Sequence, residues 1–288
     1  MNRMKRLSLV VSGVCVFVLM VLALATGCAA NWAAAKTTPT ATPSPKPSAT
    51  PRPTPTVVLP QNMRVPILMY HYISVPPPNA DKYRLDLSVT LSNFEAQLKY
   101  LAENSYTTIS LYELHAYLSS GRPLPPKPIV LTFDDGYMDN YTEAFPLLKK
   151  YKMIGTFFIV SEFASSTNPA YMRWQQVKEM SDAGMSMESH SRAHTDLRTR
   201  RGDFQGLVWD TLPVLDQMEK VTGKRPRFFC YPFGKYDDAV IRMLKSEYML
   251  GAVTTDYGKT HTLANAFTWD RVRVHGGTGL AGFAELVR

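Results

Sequence analysis

Three cysteines in 288 residues are too few for a disulfide framework. Cys15 falls inside an apolar N-terminal run and Cys28 just after it. Cys230 stands alone and reads as a buried strand thiol. Acidic residues are missing from the first 60 positions. Of the formal net charge of +8, six charges lie there, on Arg3, Lys5, Arg6, Lys36, Lys46 and Arg52, which leaves +2 for the rest of the chain. The basic balance therefore gives no argument for a nucleic acid partner. A nearly neutral domain suits a neutral substrate such as a sugar polymer. No internal repeat is visible, and no obligate protein partner is implied.

What is present first is an export-type N-terminus. Residues 1–28 open with Arg3, Lys5 and Arg6 and continue through an uncharged, mostly apolar run from Leu7 to Ala25. Ala25-Thr26-Gly27-Cys28 resembles a bacterial lipobox, although its usual Leu is replaced by Ala25. That resemblance implies lipidation of Cys28 and attachment to the cell membrane. A plain cleaved signal and an uncleaved anchor are the alternatives, since the run of 19 residues could just span a bilayer. All three place the following domain outside the cytoplasm. Residues 29–60 form a linker rich in Pro, Thr, Ser and Ala, with Pro39, Pro43, Pro45, Pro47, Pro51, Pro53 and Pro55 spaced by small residues. Such a sequence buries no core and favours extended polyproline II, reaching up to about 90 Å. Residues 61–288 remain as one domain large enough to need no staples.

Within it, short apolar runs alternate with amphipathic stretches. Strands are expected at residues 65–70, 129–133, 155–160, 185–189, 228–231, 250–254 and 272–274. Helices are expected at 91–104, 141–151, 174–183, 204–221 and 237–247. Repeated β-then-α units imply parallel strands with helices outside. The fold class is therefore α/β, an irregular (β/α) barrel of about seven parallel strands.

Two motifs carry chemistry. Thr132-Phe133-Asp134-Asp135-Gly136 ends an apolar strand with two adjacent carboxylates. His190-Ser191-Arg192-Ala193-His194 supplies two imidazoles four positions apart, a spacing that puts both on one face of a helical turn. Three such ligands and an open position suit a divalent cation that activates water, and the remaining carboxylate is then free to act as a base. Alone, Asp-Gly could mark a turn and the histidines could be unrelated. Site candidates fall at strand ends: His71, Asp134, Asp135, His190 and Pro232-Phe233-Gly234 each follow an expected strand, and in parallel β/α folds the C-terminal strand ends converge on the site.

With these residues in view, residues 64–288 resemble the polysaccharide deacetylases of carbohydrate esterase family 4. The likeness is greatest to the extracellular poly-N-acetylglucosamine deacetylase-like branch, through Pro66-Ile67-Leu68-Met69-Tyr70-His71, Tyr231-Pro232-Phe233-Gly234, Ala252-Val253-Thr254-Thr255 and Arg271-Val272-Arg273-Val274. The resemblance implies Asp134 as catalytic base and Asp135, His190 and His194 as metal ligands. It implies zinc, with cobalt or nickel as alternatives, and the Phe233 backbone N–H as an oxyanion donor.

Two departures stand out. The family's third motif commonly has an Arg where this chain has Cys230, and Arg271 or Arg273 could substitute in orienting the base. The late Leu-x-His motif that supplies the general acid is absent, and His71 is the candidate for that role. Tyr72, Tyr137, Trp174, Tyr231 and Phe233 could stack on sugars, though aromatics at such spots are equally at home in a core. The implied activity is deacetylation of an N-acetylglucosamine polymer. The alternatives are a non-catalytic glycan-binding module on the same fold and a two-carboxylate glycosidase, whose acids should flank a bond rather than sit side by side.

Overall fold

The computed structural model describes residues 59–288. The export-type segment 1–28, Cys28 and the linker up to residue 58 lie outside the described residues. The strands are β1 (Met63–Arg64), β2 (Ile67–Tyr70), β3 (Thr107–Thr108), β4 (Pro128–Phe133), β5 (Thr156–Ile159), β6 (Ser186–Ser189), β7 (Phe228–Cys230), β8 (Gly251–Tyr257), β9 (Thr260–His261) and β10 (Trp269–Arg273). Seven of them, β2, β4, β5, β6, β7, β8 and β10, pair in parallel as one ring. The ring closes because β2 is flanked by β10 on one side and β4 on the other. The expected seven-stranded barrel is therefore present. The short β1 and β9 form a separate antiparallel pair, and β3 pairs with the first two residues of β4.

Alternation along the strands sorts side chains into two layers. Leu68, Tyr70, Leu131, Phe133, Phe157, Ile159 and Val272 point outward into the layer under the helices. Ile67, Val130, Phe158, Phe228, Cys230, Val253 and Trp269 belong to a second cluster that fills the inside. The helix Leu91–Glu103 shows the outer arrangement. It is capped by Thr90, and its buried positions Phe94, Gln97, Leu98 and Leu101 form one stripe. Gln97 Oε1 accepts from the Tyr70 hydroxyl at 2.9 Å, which satisfies a phenol that burial would otherwise leave unpaired.

Two local expectations shift, and one expected helix holds across a proline. Residues 140–144 form a π-helical turn before the helix Phe145–Lys150. Pro146 has no N–H to donate, and the Phe145 N–H reaches back to Asn140 O, five residues away. The last barrel strand starts at Trp269, earlier than expected, because Trp269, Asp270 and Arg271 read as polar-flanked sequence yet Trp269 and Arg271 both face the barrel interior. The helix Phe204–Thr222 runs through Pro213. It starts from an Asp203 cap that accepts from Gly206 N at 2.9 Å and stops at left-handed Gly223.

Candidate active site

Four strand ends on one rim of the barrel build the site. β4 runs into Asp134, whose N–H still donates to Tyr70 O at 3.0 Å, so its backbone is held by the ladder. The next two residues turn left-handed, Asp135 at φ 72° and Gly136 at φ 72°. Left-handed backbone is costly for a residue with a Cβ. Here it sends the chain away sharply and lets both neighbouring carboxylates face the same cavity. Four of the non-glycine residues with positive φ belong to this site: Asp135, Ser191, His194 and Phe233.

Asp134 is buried and meets Arg271 as a fork, with Oδ1 to Nη1 and Oδ2 to Nη2 both at 2.7 Å. The remaining Arg271 donors are also matched, to Thr254 O at 2.8 Å, Thr132 Oγ1 at 3.0 Å and Cys230 Sγ at 3.2 Å. A buried ion pair is tolerable only when its hydrogen bonds are completed in this way. Burial pushes the Asp134 carboxyl up. The Arg271 charge and fork, with His71 and His190, overcome that and hold it well below the usual carboxylate range. Of the two arginines left open by the sequence, Arg271 contacts Asp134 and Arg273 lines the cavity nearer its mouth.

Asp135 Oδ1 lies 3.3 Å from Nε2 of His190 and 3.3 Å from Nε2 of His194. This oxygen is buried and has no hydrogen-bond partner. His190 Nδ1 meets Cys230 O at 2.7 Å, the second contact that fixes the ring with Nε2 turned to Asp135. Burial and the neighbouring His190 bring His194 down to about 4, which keeps its ring neutral and its lone pair available. Burial works against charge on His190, yet the Cys230 and Asp135 groups hold its pKa well above the ordinary range. The buried Asp135 carboxylate thus draws positive charge to the pair, a proton on His190 that a divalent cation would displace. One carboxylate oxygen and two imidazole nitrogens are donors that zinc, cobalt and nickel accept. Bonds of 2.0–2.1 Å at tetrahedral angles separate such donors by about 3.4 Å. The residues fit a divalent cation.

The helical turn expected for the two histidines is absent: no helix occurs between His190 and Asp196. His190 N instead extends the ladder to Ile159 O at 3.0 Å. Left-handed Ser191 (φ 69°) then reverses the chain, its hydroxyl accepts from His194 N at 3.0 Å, and His194 is itself left-handed at φ 54°. The two rings meet through this loop with centroids 4.8 Å apart.

His71 follows β2, with Nε2 3.8 Å from Asp134 Oδ2. Burial lowers its pKa; Asp134 and Asp135 pull the other way, while Arg271 and Arg273 add to the lowering. Asn140 Nδ2 donates to His71 O at 2.7 Å and so fixes that backbone, a contact no sequence motif announced. Phe233 sits at φ 59° after β7, 57% exposed, with its ring 4.5 Å from that of His194. Gly234 beside it must lack a Cβ, which would stand 2.0 Å from Thr255 Oγ1.

These groups open on one cavity of about 580 Å³, lined by His71, Asp134, Asp135, His190, His194 and Phe233, with Tyr83, Leu87, Tyr137, Tyr231, Thr255 and Arg273 around them. Small-molecule sites commonly fall in this size range. Tyr137 stacks on Tyr72 at 3.6 Å. Tyr231 reaches the cavity, but its ring is buried and its hydroxyl is tied to Phe267 O at 2.9 Å. Trp174 is not brought in: it opens the helix Trp174–Asp182, its Nε1 donates to Ser165 Oγ at 2.8 Å, and its ring packs against the outer core. Tyr83 and Leu87 went unnoticed in the sequence, because residues 72–90 carry no periodic pattern that would direct them to a strand end.

The chain is similar to several known proteins. A family model described as polysaccharide deacetylase matches residues 121–249. The YxkH protein of Bacillus subtilis is 32% identical over 226 residues, 78% of this chain and 76% of that protein. The poly-beta-1,6-N-acetyl-D-glucosamine N-deacetylase of Escherichia coli strain K12 is 24% identical over 243 residues, and this chain spans only 36% of its length. The deacetylase PplD of Streptococcus pyogenes, solved in complex with acetate, superimposes with a TM-score of 0.71 at 28% identity, over 78% of this chain and 99% of that one.

Proposed function

We propose, since the chain belongs to the polysaccharide deacetylase family, that it is a cation-dependent hydrolase removing acetyl groups from the N-acetylglucosamine units of an extracellular or cell-wall glycan. One observation carries the reading. A buried, unpartnered Asp135 oxygen lies 3.3 Å from two imidazole nitrogens, and a second carboxylate is held ionised beside it. A divalent cation in that donor set would supply Lewis-acid polarisation of the acetyl carbonyl and a more acidic attacking water.

The chain's own groups do the rest. Asp134, kept as the anion by Arg271, takes the proton from the water as it attacks the acetyl carbon. The Phe233 N–H donates to the oxygen that becomes negative, a contribution typically worth ~10²–10³ in rate. His71, with Nε2 3.8 Å from Asp134 Oδ2 at the end of β2, takes that proton from Asp134 and gives it to the departing amine, which restores both groups. The products are acetate and a free amino sugar.

Acetate release from N-acetylglucosamine oligomers by the full chain tests this. Stripping divalent cations should lower the rate about 10³-fold, the scale of several kcal/mol of charge stabilisation, and zinc, cobalt or nickel should restore it. Oligomer binding without any acetate release would instead make the fold a glycan-binding module. His71→Ala should lower kcat by about 10²–10⁴ through loss of general acid catalysis. Near-full turnover in that variant would assign the proton donor elsewhere.

A further inference from the structure

The cavity is lined by a guanidinium that the reaction above does not use. Arg273 ends β10, two positions after Arg271, so strand alternation turns both side chains to the barrel interior. Arg271 is engaged fully below, and Arg273 lies one layer nearer the mouth. It is opposite Met69 in the β10–β2 register and lines the cavity with His71. Among the described residues its guanidinium has no hydrogen-bond or ion-pair partner. The carboxylates that could serve it are committed: Asp134 to Arg271, and Asp135 to the histidine pair. On the helix Lys82–Asp86, Asp86 is turned to His275 Nδ1 at 2.8 Å.

The rim repeats the sign. Two aromatics on the cavity wall are largely exposed, Phe233 at 57% and Tyr83 at 67%. Each carries a lysine near its face, with Lys235 Nζ 6.0 Å and Lys82 Nζ 5.0 Å from the ring centroid. Lys235 touches acid only loosely, 3.9 Å from an Asp196 oxygen that Arg198 already holds at 2.7 Å. Exposed aromatic faces suit pyranose rings. A planar fork with unused donors suits a carboxylate, which it can hold by two parallel charged hydrogen bonds.

We propose that Arg273 is a specificity-determining residue that selects an acetylated glycan bearing a carboxylate on or next to the sugar being deacetylated. The proposal rests on the deacetylase reading for the reaction, but not for the recognition.

The test compares two probes of equal length on the full chain: a neutral N-acetylglucosamine tetrasaccharide and a tetrasaccharide alternating N-acetylglucosamine with N-acetylmuramic acid, whose lactyl group carries the carboxylate. Calorimetry should show the acidic probe bound at least about tenfold more tightly, the low end for hydrogen bonds to a charged group. Arg273→Gln should erase that preference. Where the acidic probe is turned over, it should raise KM for that probe by a similar factor, and binding of the neutral probe should stay within about twofold. Arg273→Lys should recover part of the preference, keeping the charge but not the fork. Equal binding of the two probes by the unmodified chain would overturn the proposal. So would a Gln variant that weakens both probes alike, as a structural or acetate-holding role would require. Selective binding without acetate release would leave recognition standing and defeat the deacetylase reading instead.

Discussion

Asp134→Asn should reduce acetate release by about 10²–10⁴-fold, the range attributable to a positioned base. Asn keeps the shape of the side chain and one acceptor oxygen but cannot take a proton at neutral pH. Because the donor set proposed for the cation, Asp135, His190 and His194, does not include Asp134, the variant should still bind zinc with its stoichiometry unchanged. That control separates loss of a base from loss of the cation site. The substitution also leaves Arg271, 1% exposed, without its counter-charge. Breaking one side of a buried pair costs about 3–5 kcal/mol. Activity should therefore be measured where circular dichroism shows the variant folded. Unchanged turnover in a folded, zinc-loaded Asp134→Asn variant would remove Asp134 from the role of base.

Arg271→Ala should act on the same pair from the other side and change both stability and pH dependence. In the intact chain Asp134 titrates below its ordinary value of about 3.9. Its folded pKa is depressed, so the stability it contributes is present above the unfolded pKa and is lost only as pH falls through the lower folded value. Without Arg271 the dominant influence left is burial, which raises the pKa. The sign then reverses: the proton binds more tightly in the folded state, and stability falls as pH rises through the carboxylate range. Two measurements follow. Denaturant unfolding at neutral pH should show a loss of about 3–5 kcal/mol. The acid limb of kcat/KM should move to higher pH, because the base stays protonated longer. Arg271→Lys should lie between, retaining charge but not the two-pronged contact. An Ala variant with the parent's acid limb and turnover would show that Asp134 does not depend on this arginine.

Some of the architecture could be read along the chain because its cause is local. The run Ile129–Phe133 is apolar on both faces, as a strand buried between barrel interior and helices must be. Asp134-Asp135-Gly136 then breaks it with residues that accept left-handed turns. The same reasoning misjudged His190 and His194. Four-residue spacing matches a helical face, but Ser191 and His194 adopt positive φ and bring the rings together through a loop. Helical periodicity cannot distinguish these outcomes, since the choice depends on the β5 and β7 partners that hold His190 at both ends. Trp174 likewise gave no sign of which way it faced. It lies at a helix start whose apolar side turns to the outer core.

By itself the sequence determined the alternation of strand and helix and the donor types gathered at strand ends, because burial patterning and side-chain chemistry are written residue by residue. Only the closed ring decided which distant groups meet. Asp134 and Arg271 are 137 positions apart, and they touch because β2 bridges β4 and β10. Strand alternation turns both Arg271 and Arg273 inward. Depth within the barrel then gives one a buried carboxylate and leaves the other facing the cavity, and depth is a property of register between strands rather than of any one strand.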